Sequence, residues 1–327
     1  MNFSKVAVIH FYYIWLVIVS IIGTCNAEEL NLYTSQPLSD IKVIVDKFEQ
    51  SNNGIKINIY RSGTSEIILK LLVQEKAAAP KADIILLSDT VSMEYLKSKN
   101  LLAYIDFIEL GLTSEQSKLC DVHQYYCGSK IIATGIAYSK KLKNPPKRWE
   151  DLLDKAYINK IVIADPAYSG AAAIQFSIFT HSDNSNLSSF YKNLTKQKVT
   201  IVPSNGQVLE YISKGFKEVG VIVDFMAIRA LKNGADIDFI YPKEGVMIIT
   251  EPVAILNSSK KKTEALQFLG YLLSEEIHDI LTKQEYTTIN KLNNLPYKIL
   301  NFNPKNLFET YENDKKKFHD LFRENYN

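Results

Sequence analysis

The chain has 327 residues, of which 46% are apolar and 23% charged, with a formal net charge of +2. That length supports one large domain or two ordinary ones, each with its own core. Lys and Arg are scattered, and the densest runs, Lys260-Lys261-Lys262 and Lys315-Lys316-Lys317, read as solvated surface rather than a polyanion site, so nucleic acid is not an expected partner.

Lys5 is the only Lys, Arg, Asp or Glu before Glu28, and an apolar stretch runs from Val6 to Gly23. Thr24-Cys25-Asn26-Ala27 then leads into Glu28-Glu29. A positive start, an apolar middle and a small-residue exit predict a secretory signal peptide over residues 1–27, cleaved after Ala27. Retention as a membrane anchor and lipid attachment at Cys25 are the alternatives; Thr24 fits a lipid-attachment box poorly. No later segment carries the roughly 18 uninterrupted apolar residues of a membrane span. Removal of the signal leaves Cys120 and Cys127. In an oxidising compartment such a close pair predicts a disulfide, since a zinc site would need further soft ligands and only His123 is near.

From Leu30 onward, short apolar strands alternate with amphipathic helices, the grammar of an α/β sheet protein. Leu30–Tyr33 is strand-like and is followed by a helix to about Glu49, with Ile41, Ile44, Val45 and Phe48 at helical spacing. Ile55–Tyr60 alternates like a strand, and a helix through Ile68, Leu71 and Leu72 follows. Ala82–Leu87 reads as a buried strand. The second half repeats the pattern at Ile161–Ala164, Thr200–Val202 and Val219–Val223, each strand followed by a loop and a helix. Glu251–Leu256 is strand-like, with Pro252 placing its start at an edge or a crossover. Residues 263–274 predict a helix with Leu266, Leu269 and Leu273 on one face.

Five times an apolar strand runs into a polar loop and then a helix start: at Thr34-Ser35, Ser62–Ser65, Ser169-Gly170, Asn205-Gly206 and Asp224. In open α/β sheets such loops lie at the carboxyl ends of strands, where ligands bind. Helix N-termini offer free N–H groups and partial positive charge, so their convergence would favour a phosphate, phosphonate or carboxylate. Hydroxyls of Thr34, Ser62, Thr64, Ser65 and Ser169 add donors, and Gly63 and Gly170 permit close backbone approach. Any one loop could equally be a helix cap serving stability.

The sequence holds no G-x-x-x-x-G-K-[ST], G-x-G-x-x-G, H-E-x-x-H or G-x-S-x-G. His123, His181, His278 and His319 sit in no recognisable motif, and Asp236 and Asp238 open no calcium loop. No enzymatic role is expected.

Several stretches together carry a family resemblance: Leu32–Ser35, Arg61-Ser62-Gly63-Thr64-Ser65, Ala133–Tyr138, Tyr168–Ala172, Asn205–Leu209, Tyr241–Gly245 and Glu251–Ile255. The chain resembles bacterial extracellular solute-binding proteins that serve ABC importers, in the branch of ferric-ion, hexose-phosphate and aminoethylphosphonate binders. The resemblance implies a two-lobed type 2 periplasmic-binding-protein fold joined by crossing strands. Lobe 1 would comprise residues 28–130 plus 252–296, lobe 2 residues 131–251, and the tail 297–327 would pack on lobe 2. It further implies a monomer in the periplasm that hands its ligand to an ABC permease in the inner membrane.

The expected ligand is a small organic anion bearing phosphate or phosphonate, held by Thr34, Ser35, Ser62, Gly63, Thr64, Ser65, Ser169, Gly170 and Asn205. Arg61 and Arg229 could add charge, although Arg229 also suits pairing with a carboxylate; Asp224 and Glu251 would suit an amine or sugar hydroxyl. No cofactor is expected. Fe³⁺ is the alternative ligand, with Tyr33, Tyr168, Tyr241 and Glu251 as its oxygen donors. Ferric relatives carry adjacent tyrosines where Phe225-Met226 stands here, and neither residue supplies a hard oxygen.

Overall fold

The computed structural model describes residues 28–300, 302 and 307–323. The expected signal peptide and Cys25 lie outside the described residues. Among those described, no helix is long and apolar enough to cross a membrane.

Two sheets form the frame. The first has the order β2-β1-β3-β11-β4, built from β1 (Glu28–Thr34), β2 (Ile55–Arg61), β3 (Ile84–Leu86), β11 (Pro252–Ile255) and β4 (Cys127–Gly128). The second has the order β10-β5-β8-β6-β7, with β9 also pairing β5. Its strands are β5 (Ile132–Ser139), β6 (Ile161–Ala164), β7 (Thr200–Val202), β8 (Val219–Val223), β9 (Ile237–Ile240) and β10 (Ile248–Ile249). In the first sheet β1 runs parallel to β2 and β3; in the second, β6 runs parallel to β7 and β8. The chain passes between the sheets through Ser129–Ile131 and returns through Thr250–Glu251. Pro252 opens β11 at that crossover as the first residue of a strand between β3 and β4, a position a sheet tolerates for proline, and its carbonyl accepts from Leu87 N–H at 3.1 Å.

The longer helices are α1 (Leu38–Ser51), α2 (Thr64–Lys76), α3 (Thr90–Ser98), α4 (Gly170–Thr180), α5 (Asn205–Ser213), α6 (Asp224–Lys232), α7 (Lys262–Leu273) and α8 (Tyr311–Leu321). Helix α1 buries Ile41, Ile44, Val45 and Phe48, the stripe its spacing requires. In α7 the buried face is Ala265, Phe268, Leu269, Leu272 and Leu273. Leu266, expected on that face, is 37% exposed, because Phe268 and Leu272 centre the apolar stripe about one residue away from it.

Helix α4 is buried at nearly every position from Gly170 to Phe179, where α8 and the short helices Ser185–Ser188 and Phe190–Leu194 pack on it. The α8 anchor is aromatic: Phe318 packs edge-on against Phe176 with centroids 5.2 Å apart and also meets Tyr191 and Phe322. The C-terminal segment reaches the first lobe too, where Lys315 Nζ donates to Ser65 Oγ at 3.2 Å and Phe308 meets Tyr95 at 6.1 Å. It therefore touches both lobes, beyond the expected packing on the second. A disulfide joins Cys120 and Cys127, the latter in β4 just before the first crossing segment.

Candidate functional site: the interlobe cleft

The parallel strands of both sheets end at one crevice. Their ends are flush: Thr34 pairs with Arg61 and Leu86, and Ala164 with Val202. Backbone bonds tie the loops beyond them, with Ser35 N–H donating to Leu86 O at 3.1 Å and Ser62 N–H to Thr34 O at 3.2 Å. The resulting cleft holds about 500 Å³, within the range of small-molecule sites. The first lobe lines it with Ser35, Pro37, Arg61, Gly63, Thr64, Glu66 and Ser88, and the second with Tyr168–Ala171, Pro203–Gly206, Val223, Phe225 and Met226. Ile132, Ile249 and Glu251 from the crossing strands form its floor.

Seven of the eleven residues expected to hold the ligand line this cleft: Ser35, Gly63, Thr64, Ser169, Gly170, Asn205 and Glu251. Thr34 is buried behind it, its Oγ1 accepting from Gln36 N–H at 3.1 Å. The Ser62 hydroxyl donates to Glu66, and the Ser65 hydroxyl is turned to Lys315. Asp224 is 3% exposed behind the wall and takes the Phe225 N–H at 2.8 Å and the Tyr241 hydroxyl at 3.2 Å. Those four placements differ from the sequence expectation for one reason. A helix start carries both ligand-facing and self-capping groups, and spacing does not say which side chain turns inward.

The oxygens named for iron are dispersed. Tyr168 is 48% exposed at the cleft and Glu251 lies on its floor. Tyr33 is directed into a separate groove beside Tyr60 and Lys261, where its hydroxyl accepts from Gln74 Nε2 at 3.0 Å. Tyr241 lies against Tyr297 with centroids 4.3 Å apart and donates to Asp224.

Gly63 and Gly170 serve lobe contact. A Cβ on Gly63 would stand 2.9 Å from the Tyr168 carbonyl oxygen, and one on Gly170 2.6 Å from both Asp89 Oδ2 and Ser88 Oγ. Each glycine lies on one lobe and its neighbour on the other, so the lobes are closed on each other at this seam. Thr64 Oγ1 and Ser88 Oγ are 2.8 Å apart beneath it.

The donors at the second lobe are ordered. Ser169 caps α4 by accepting from Ala172 N–H at 3.3 Å, and also takes Asn205 Nδ2 at 3.1 Å. Asn205 Oδ1 accepts from Val223 N–H at 3.3 Å, which fixes the amide. The N-termini of α4 and α5 thus point into the cleft side by side, with their first-turn N–H groups and partial positive charge. Ser35 Oγ is shielded from solvent with no partner among the described residues. Arg61 brings a guanidinium, held by its Nε donating to Gln36 O at 3.3 Å.

Two carboxylates face the same space. Glu66 accepts from Gly63 N–H at 3.4 Å and caps α2, so this helix start already has its own anion. Glu251 is paired with Lys130 at 2.7 Å and accepts from Gln36 Nε2 at 2.6 Å. Burial pushes the Glu251 carboxyl up and the Lys130 ammonium down, each against the attraction of the other. Lys130 was not anticipated as a site neighbour: its side chain is 1% exposed, and a single lysine after a strand gives no sequence signal of burial.

A family model described as bacterial extracellular solute-binding protein matches residues 32–287. The chain belongs to that family. The chain is similar to the phosphoglycerate transport regulatory protein PgtC of Salmonella typhimurium, 24% identical over 271 residues, 79% of this chain and 66% of that protein. The chain thus aligns with somewhat under two thirds of that relative's length. Among solved structures, the periplasmic binding protein AfuA from Actinobacillus pleuropneumoniae, with fructose-6-phosphate bound, superposes with a TM-score of 0.77 at 20% identity. That match covers 90% of this chain and 99% of AfuA. A ferric binding protein from Campylobacter jejuni superposes with a TM-score of 0.73 at 22% identity, covering 90% and 99%. The fold is that of type 2 periplasmic binding proteins.

Proposed function

We propose that this solute-binding protein is the periplasmic capture component of an ABC importer. It closes on a small organic anion and delivers it to an inner-membrane permease without chemical change. The ligand is a phosphorylated or phosphonated compound whose anionic end sits at the paired N-termini of α4 and α5. The observation that carries this reading is the convergence there of Ser169, Gly170 and Asn205 with Ser35, Thr64 and Arg61 across the cleft. Those groups are N–H and O–H donors plus one guanidinium, the set an anion requires.

Glu66 and Glu251 shape the rest of the ligand. Two carboxylates facing the cleft disfavour a second anionic group and suit an amine or hydroxyls on the non-phosphate end. Phe225 and Met226 supply an apolar wall and no oxygen, which supports an organic anion over Fe³⁺. The protein acts as a monomer.

A thermal-shift panel of inorganic phosphate, sugar phosphates, aminoalkyl phosphonates and ferric citrate tests this reading. A phosphate or phosphonate should give the largest rise in melting temperature by mass action. Ser169→Ala with Asn205→Ala should abolish that rise. A visible phenolate–iron band with ferric citrate, lost in Tyr168→Phe, would transfer the assignment to iron.

A further inference from the structure

Beside the cleft a second seam joins the lobes, and it is ionic. Asp40 lies in the first turn of α1 in the first lobe, and Arg229 lies in α6 of the second. The guanidinium grips the carboxylate at both oxygens, Nη1 to Oδ1 at 3.0 Å and Nη2 to Oδ2 at 2.9 Å. Such a fork-on-fork pair is among the strong charge-assisted arrangements. The Asp40 side chain is only 4% exposed and that of Arg229 30%.

The surrounding groups favour the paired geometry. The Tyr286 hydroxyl donates to Asp40 Oδ2 at 2.7 Å, and Gln284 Nε2 donates to Asp40 O at 3.0 Å. Arg229 also donates to the Gln284 carbonyl. Phe225 of α6 stacks on Tyr286 with centroids 4.2 Å apart. Phe225 lines the cleft, so the latch and the ligand share a wall. Opening the lobes would carry Arg229 away from Asp40, while Tyr286 and Gln284, both C-terminal to β11, could stay with the first lobe.

We propose that Asp40 and Arg229 form a closure latch: a positioning pair, not ligand-binding, that exists only in the closed form and sets how much of the ligand-free protein is closed. Removing either partner leaves the other charge partly buried and unpaired in the closed state alone, so the balance moves toward open. This inference does not depend on which solute is bound.

The test uses the ligand-free full-length protein. Spin labels at Leu69→Cys and Phe216→Cys, both 64% exposed and on opposite lobes, report the interlobe distance. Wild type should show a substantial closed population. Arg229→Met should raise the open-to-closed ratio roughly tenfold or more, with a matching increase in radius of gyration by solution scattering. Arg229→Lys, which keeps the charge and loses the fork, should fall between. Asp40→Asn, which can still accept from Tyr286, guards against a result caused by misfolding of one variant. Distance distributions identical in wild type, Arg229→Met and Asp40→Asn, all folded by circular dichroism, would overturn the proposal. A wild type already fully open would overturn it too.

Discussion

Gly170 carries more of the closure geometry than any hydroxyl around it. Its Cα hydrogen is all that separates α4 from Asp89 and Ser88 of the other lobe. Gly170→Ala should leave the helix intact, because alanine suits a first-turn position. It should keep the lobes from meeting and lower affinity for any solute held by closure by roughly tenfold or more, about 1.4 kcal/mol. Calorimetric titration against the best solute of the thermal-shift panel, with unfolding curves as a control, checks both halves.

Asp224 makes a different single-residue prediction. Burial pushes its carboxyl up to about 7 from 3.8, against the hydrogen bonds it accepts from backbone N–H groups and Tyr241. An acid raised in the folded state binds its proton more tightly there than in the unfolded chain. Its stabilising contribution is therefore complete below 3.8 and is lost as pH rises through about 7. Asp89 and Glu251, both raised by burial, add the same sign. Asp40 has the opposite sign: burial would raise it, but Arg229 and Tyr286 hold it below 3.8, so its contribution is lost only in acid. Asp224→Asn should flatten the fall in stability between about pH 5 and about pH 8, by on the order of a few kcal/mol. Urea unfolding at both pH values measures it, and an unchanged slope would place the titration elsewhere.

At the scale of elements, most of the frame was legible in the sequence. The stripe Ile41, Ile44, Val45, Phe48 and the apolar runs Ile161–Ala164 and Val219–Val223 form the helix and the buried parallel strands their patterns demand. The face of α7 was read one residue off, because Leu266 keeps helical spacing with Leu269 and Leu273 while Phe268 and Leu272 take the centre of contact. The site was legible as loops and much less as side chains. Strand–loop–helix order places Ser169 and Asn205 at a crevice, whereas the inward or outward turn of Ser62, Ser65 and Asp224 depends on Glu66, Lys315 and Tyr241, which are brought to them by folding. The reach of α8 into the first lobe was illegible, since Lys315 sits in a lysine run that reads as surface. Its aromatic anchor is the part that should matter for stability. Phe318 is fully buried among Phe176, Tyr191 and Phe322, so Phe318→Ala should cost about 3–5 kcal/mol. Lys315→Ala, which removes the bonds to Ser65 and to Glu312, should cost about 1 kcal/mol. Denaturant midpoints of the two variants separate anchor from contact.

For the molecule as a whole, closure has to bend the crossing segments, and these meet at one buried pair. Lys130 belongs to the outgoing segment and Glu251 to the returning one, and their heads are 2.7 Å apart. Lys130 Nζ also lies 4.0 Å from the centre of the Tyr286 ring, so the cation is shared with an aromatic face next to the Asp40–Arg229 pair. Glu251 has φ of 39°, the left-handed region that disfavours a non-glycine residue, and such a conformation persists only where surroundings hold it. Here Ser129 Oγ donates to the Glu251 carbonyl at 2.8 Å while Lys130 and Gln36 hold the carboxylate. Backbone and side chain of one residue are thus fixed by the opposite strand and by the first lobe at once. Lys130→Met removes the cation and leaves Glu251 buried with Gln36 as its main partner, which should destabilise the protein by about 3–5 kcal/mol. Glu251→Gln in the same chain should restore a large part of that loss, because the amide can still bond Gln36 and no charge is left buried. If the pair only stabilises, the double variant should show the interlobe distances of wild type. If it also tunes the hinge, the double variant should be stable yet show altered interlobe distances in the spin-label experiment. A double variant no more stable than Lys130→Met would show that the ion pair is not what fixes the crossing strands.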